Sequence, residues 1–284
     1  MILSMTVFGT ISLFVRYLPL TSGEIALYRS VIAVFPIGLF LLLTKQKISF
    51  AVWKKQAALL FLSGCSLGIN WILLFEAYKH TTVSTATLCY YFAPVLVTVL
   101  SPFLFREKLT KLQILCFWIS TAGLVLIIGF RDLRNDGIGI ILGLGAAFFY
   151  AVTVLLNKAI KSVTGLQRTF FQFIAAILIL VPYVLLSDGF HLDILGGSEW
   201  LVLLIVGLIH TGLAYCLYFA AITDLSGQQI AILSYIDPLV AVMISVFILS
   251  EPISFLQMAG GGLILIFSLW NEWLILKCKN KDYS

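Results

Sequence analysis

FEAYKHTTVSTATLCYYFAPVLVTVLSPFLFREKLTKLQ, residues 75–113, returns later in the chain as FAAITDLSGQQIAILSYIDPLVAVMISVFILSEPISFLQ, residues 219–257. The two copies align without a gap. Phe75, Ala77, Tyr91, Pro94, Ser101, Phe103, Glu107, Leu112 and Gln113 stand where Phe219, Ala221, Tyr235, Pro238, Ser245, Phe247, Glu251, Leu256 and Gln257 stand in the second copy. Each copy is an apolar segment with a proline near its middle and a glutamate thirteen residues after it. Two related halves in an apolar chain are the pattern of a transporter.

Working outward from the repeat, the composition excludes a soluble domain. Hydrophobic residues make up 61% of the chain and charged residues 11%, against roughly a quarter charged in soluble domains. The 284 residues accommodate about ten spans of roughly 20 residues each. Apolar runs between charged or turn-rich breaks predict spans over 1–18, 23–43, 57–78, 82–104, 111–130, 137–157, 166–186, 199–221, 226–249 and 254–276. The predicted fold is therefore an all-α integral membrane protein of ten transmembrane helices. It divides into one five-helix repeat over 1–130, a second over 137–276, and a basic tail over 277–284.

Lysine and arginine set the expected orientation. With the N-terminus cytoplasmic, the inner segments hold twelve basic residues (Lys45, Lys47, Lys54, Lys55, Arg106, Lys108, Lys111, Lys158, Lys161, Lys277, Lys279, Lys281) and the outer loops only Lys79, Arg131 and Arg134. That is the positive-inside pattern with both termini cytoplasmic. The net charge of +5 thus reports topology, and no nucleic acid partner is expected. Because each half has an odd number of spans, the second half lies upside down relative to the first. A pseudo-two-fold axis in the membrane plane follows, with two arrangements of similar energy open to opposite sides.

The residues that could carry function are polar groups at membrane depth. Asp237 precedes Pro238 in the ninth span. A carboxylate there costs about 2.5–3.5 kcal/mol even on the lenient insertion scale, so it should face a cavity or a partner, with Arg29 and Arg168 as candidates. Pro94 and Pro238 each remove a backbone donor and kink their helices, freeing carbonyls near Tyr90 and Ser234. His210, with Thr211, Ala214 and Tyr218, forms a polar helical face; its ring is either a proton or substrate site or a buried neutral imidazole bonded to a carbonyl. Trp71, Tyr91, Tyr150, His210, Tyr218 and Ser234 are the predicted substrate contacts, with Asp237 and Arg29 as charge or coupling groups. Glu107 and Glu251, each between two spans, are expected to bond the free amides of the helix that follows and so fix the turn. The five cysteines show no paired spacing and read as small apolar filler. No Walker motif, HExxH, GxSxG or Cys/His cluster occurs, so no catalytic residue, metal or cofactor is expected.

The duplicated stretch, together with LYRSVIA at 27–33, resembles the EamA-type ten-span members of the drug/metabolite transporter superfamily, over nearly the whole chain. The resemblance implies two inverted five-helix repeats around a central cavity, and movement of small metabolites, commonly export of amino acids or related compounds across the bacterial inner membrane. It also implies an acidic residue before the second-half proline, the place that Asp237 occupies. Protons are the candidate coupling partner and a monomer or weak homodimer the expected assembly. A membrane sensor that binds a small molecule without moving it is the competing class.

Overall fold

The computed structural model describes residues 1–44, 50–105, 110–129, 133–160, 163–187, 189–221 and 233–281. Among them, six helices are long and apolar enough to cross a membrane and four more are shorter and apolar, giving ten spans. In chain order the spans are Ile2–Val15, Ser22–Leu43, Gln56–His80, Val83–Phe105, Lys111–Ile127, Asp136–Ala159, Gly165–Leu186, Gly197–Ala221, Ile236–Ile248 and Phe255–Trp270. Of the ninth expected span, residues 226–232 lie outside the described residues. The last helix runs on to Lys281, so most of the stretch read as a tail is helical; lysines there satisfy helix propensity as well as apolar residues do.

Helix starts are written in the sequence twice over. Thr21 and Glu24 form a capping box at the second span, and Thr164 and Gln167 form one at the seventh. Thr110 with Gln113 and Ser254 with Gln257 exchange the same reciprocal bonds at the fifth and tenth spans. Each pair satisfies amide groups that have no partner within the helix, and in lipid an unmet amide costs several kcal/mol. The capping pattern therefore repeats with the halves.

The packing repeats as well. Span one packs on spans eight and nine, and span six packs on spans three and four; span two packs on span eight, and span seven on span three. Each of these becomes its partner when the halves are exchanged. Spans two and seven, four and nine, and five and ten pack against each other and map onto themselves. A contact set closed under exchange of the halves is the signature of a pseudo-two-fold axis, here between oppositely directed repeats.

Small residues let the symmetric pairs approach. A Cβ on Gly260 would lie 2.4 Å from the Gly123 carbonyl oxygen, and one on Gly123 would lie 2.6 Å from that of Gly260, so spans five and ten touch backbone to backbone. Such close helix contact is the usual means of association in lipid, where no hydrophobic force separates helix from solvent. Gly260→Ala should therefore cost about 1–3 kcal/mol by forcing the helices apart. A fall in thermal midpoint in detergent, absent in Gly262→Ala, where no atom lies within 4 Å, is the measurement. Equal midpoints for the two variants would refute the backbone contact.

Candidate substrate site

Spans four and nine are interrupted at matching places. The helix Val83–Tyr90 stops and restarts at Ala93, with Tyr91 and Phe92 in a turn. Span nine is broken at Tyr235 before the helix Ile236–Met243. Pro94 and Pro238 thus sit in the first turn of a new helical segment, where a missing N–H is tolerated, and the breaks fall just ahead of them. The two interruptions meet. The Tyr91 hydroxyl donates to the Asp237 carboxylate, which lies in the first turn of its helix and gains from that helix's N-terminal dipole.

Around this contact lies a cluster of tyrosines. The Tyr90 ring stands 5.5 Å from Tyr91 and 5.3 Å from Tyr150, centroid to centroid. On the other side a chain of rings runs from Trp71 to Phe173 (5.2 Å), to Tyr215 (5.4 Å), to Phe8 (5.0 Å) and on to Tyr218 (6.5 Å). Tyr90, Tyr91, Tyr215, Tyr218 and Asp237 are half-buried. They keep accessible surface while touching their neighbours, as side chains lining a cleft do. Ser234 is half-buried three residues ahead of Asp237.

Arg29 enters from span two. Its side chain is buried, with 4% of the residue exposed. Nε donates to Thr211 Oγ1 at 3.1 Å, and the guanidinium carbon lies 4.4 Å from the Trp71 ring centroid and 5.3 Å from that of Phe75. Among the described residues Arg29 and Asp237 form no ion pair, which corrects the expected partnership: each has a neutral partner instead, a threonine and a tyrosine. Arg168 does not reach Asp237 either. It sits at the other end of the bundle and donates to the carbonyls of Ile160 and Val163, closing the end of span six.

His210 occupies the seam between spans one and eight. Its Nδ1 lies 3.3 Å from the Ile205 carbonyl, its Nε2 lies 2.9 Å from the Thr10 hydroxyl, and its ring packs on Phe14 at 4.6 Å. A carbonyl only accepts, so Nδ1 carries the hydrogen. In the neutral ring Nε2 then accepts from Thr10, whose hydroxyl can turn away from the Val7 carbonyl 2.8 Å off. Both ring nitrogens are thus engaged by protein, which moves His210 from substrate contact to helix seam in this conformation.

The reason lies in the winding of span eight. Ile205–Leu213 is a π-helix, and Thr211 Oγ1 donates five residues back to the Val206 carbonyl at 2.8 Å. Span two presses on this wide turn, since a Cβ on Gly207 would lie 2.5 Å from Ile32 and one on Gly212 would lie 2.4 Å from Pro36. A π-turn shifts every later residue around the helix axis. Tyr215, invisible to an α-helical reading of the face His210, Thr211, Ala214 and Tyr218, thereby joins the aromatic chain. Tyr78, Tyr90 and Phe8 were also not predicted; the adjacent tyrosines 90 and 91 were the one usable signal.

Glu251 does not cap the helix that follows it, because Ser254 and Gln257 already do. Its carboxylate instead accepts from the Val83 amide at 2.8 Å and the Ser245 hydroxyl at 2.5 Å, and pairs with Arg16 at 2.5 Å. It thus caps span four from the opposite half. Arg16 also donates to the Tyr78 and Thr81 carbonyls at 3.0 and 3.2 Å, so spans one, three, four and nine are tied at one end. At the other end Lys158 of span six donates to Ser101 of span four at 3.0 Å and lies 4.6 Å from the Phe105 ring centroid. Ser101 is the repeat counterpart of Ser245. Glu107 lies outside the described residues.

Inverted repeats, paired helix breaks and polar side chains held between the halves define a class: multi-pass membrane proteins built to move a solute. The chain matches the EamA-like transporter family over residues 1–129 and again over 137–271, and it belongs to that family, within the drug/metabolite transporter superfamily. It is a transporter, not an enzyme, and binds a small-molecule substrate. An uncharacterized transporter of Bacillus subtilis, YxxF, is 33% identical over 94% of this chain and 86% of its own length. A probable biotin transporter of Pseudomonas aeruginosa is 26% identical over 72% of each chain. A solved crystal structure superposes with a TM-score of 0.68 over 96% of both chains at 17% identity, a likeness of fold alone.

Proposed function

We propose that the protein is a secondary active or facilitative transporter that exports small amphiphilic metabolites, amino acids or related compounds, by alternating access. The observation that carries this reading is the meeting of the two helix breaks at Tyr91 and Asp237, with Arg29 buried against Trp71 and Phe75. A solute bound there would lie between the halves, where rocking of one repeat against the other exposes it to either side. Aromatic faces accept apolar parts or cations, and hydroxyls complete polar contacts. Biotin, named for one relative, is itself amphiphilic.

The excess of basic residues on one set of loops favours cytoplasmic termini in a bacterial inner membrane. The Arg16 end is then the outer end and the Lys158 end the inner one. Protons are the proposed coupling partner through Asp237, the repeats over 1–130 and 137–276 are the moving units, and the assembly is a monomer or weak homodimer. Purified protein in proteoliposomes should carry members of a panel of amino acids, amines and amphiphilic acids, faster with an imposed proton gradient. Binding without flux for every member would favour a sensor.

A further inference from the structure

We propose that Arg29 is the seat for a carboxylate group of the substrate. This rests on the transporter reading above and names the chemistry of what the site takes.

The two halves place equivalent side chains in equivalent surroundings. Arg29 and Gln172 each lie eight residues after the capping threonine of their helix, Thr21 and Thr164. Each reaches a hydroxyl on the third helix of the opposite half: Arg29 reaches Thr211, and Gln172 reaches Ser63 at 2.8 Å. There the likeness ends. Gln172 Nε2 also donates to Asn157 Oδ1 at 2.6 Å, so its two amide hydrogens are both used and the second half is closed. Arg29 spends only Nε on Thr211. Among the described residues Nη1 and Nη2 make no hydrogen bond, and no carboxylate forms an ion pair with the charge.

A guanidinium that is nine-tenths buried with an unused pair of terminal nitrogens is a costly arrangement for a merely structural residue. Its plane is held by the Trp71 face at 4.4 Å and by the bond to Thr211, so the free edge is oriented before anything binds. The matching group is planar, anionic and two-oxygen: a carboxylate received in two parallel N–H···O bonds. Asp237, bonded to the Tyr91 hydroxyl and to no cation, would receive a cationic or hydrogen-donating group on the same solute. The second half, with Gln172 satisfied, offers no matching seat, so the substrate binds in one polarity despite the symmetric frame.

The test uses full-length protein in detergent and reads thermal protection by paired probes: phenylalanine against its carboxamide, and biotin against its primary amide, with inorganic phosphate in the same series. Acids are expected to protect and their amides to bind about 10- to 100-fold more weakly, the loss expected when hydrogen bonds to a buried charge are removed. Arg29→Gln, which copies the residue of the other half, should erase the difference between acid and amide, and Arg29→Lys should keep part of it. Equal protection by acids and amides, protection by phosphate alone, no protection by either acid, or an acid preference surviving in a folded Arg29→Gln each overturn the assignment. Flux is scored separately. Arg29-dependent acid binding without transport would leave the seat and sink the transporter reading, whereas transport of solutes lacking a carboxylate would do the reverse.

Discussion

Glu251→Ala should release one end of the bundle. Its carboxylate simultaneously holds the Val83 amide, the Ser245 hydroxyl and Arg16, and its side chain is 9% exposed against 32% for Arg16. Removing it leaves a half-exposed cation with only its two carbonyl acceptors, and strands an amide at a helix start and a hydroxyl. The cost falls below the roughly 3–5 kcal/mol of a fully buried pair, because solvent screens Arg16, and comes mainly from the stranded amide and hydroxyl, so Arg16→Ala should cost less. The alternative arrangement of the repeats lacks this penalty, so the population shifts toward an end that is open. A cysteine placed at Thr87, buried in span four, reports it in detergent with the five native cysteines replaced by alanine. A bulky maleimide should react slowly there when Glu251 is present and at least tenfold faster in Glu251→Ala, with Glu251→Gln between. Identical rates in folded variants would show that the tie does not gate access.

Asp237→Asn is expected to lower flux at least tenfold and to remove its response to a proton gradient, without loss of fold. The carboxylate accepts from Tyr91 and has no basic partner within ion-pair distance among the described residues. The group that faces it across the two helix breaks is the Tyr91 hydroxyl of span four, within the ring cluster of Tyr90 and Tyr150. An anion so placed is stabilised by a proton or by a donor on the substrate, and either route gives it a part in coupling. Asparagine keeps the acceptor for Tyr91 and the volume, so packing is preserved and the charge alone is lost. Tyr91→Phe, which removes the donor and keeps the carboxylate, should slow flux while retaining the gradient response. A folded Asp237→Asn whose flux still follows the gradient would take Asp237 out of coupling.

The order and number of helices were legible because each rests on local chemistry. Apolar runs mark the spans, and Pro94 and Pro238 mark two breaks that the backbone cannot avoid; the caps at Thr21, Thr110, Thr164 and Ser254 came only with the structure. The duplicated stretch carried the symmetry, since two copies separated by an odd number of spans must run in opposite directions. Side-chain destinations were not legible. Glu251 was expected to serve the helix after it and serves span four instead, because Ser254 and Gln257 already occupy the local amides. Arg29 and Arg168 were both candidate partners for Asp237, and neither pairs with it: Arg29 bonds Thr211, Arg168 bonds carbonyls at the end of span six, and Asp237 takes Tyr91.

The chain by itself thus determined a ten-span inverted repeat in lipid, since hydropathy and duplication act within one helix or between copies of one segment. Tertiary structure alone decided which end each charge closes, how the π-turn of Ile205–Leu213 carries Tyr215 into the aromatic chain and His210 into a seam, and why Arg29 is left with unused donors where Gln172 is not. Those outcomes depend on distances between helices far apart in sequence, set by glycine contacts and by one extra residue per turn, and no local pattern encodes them.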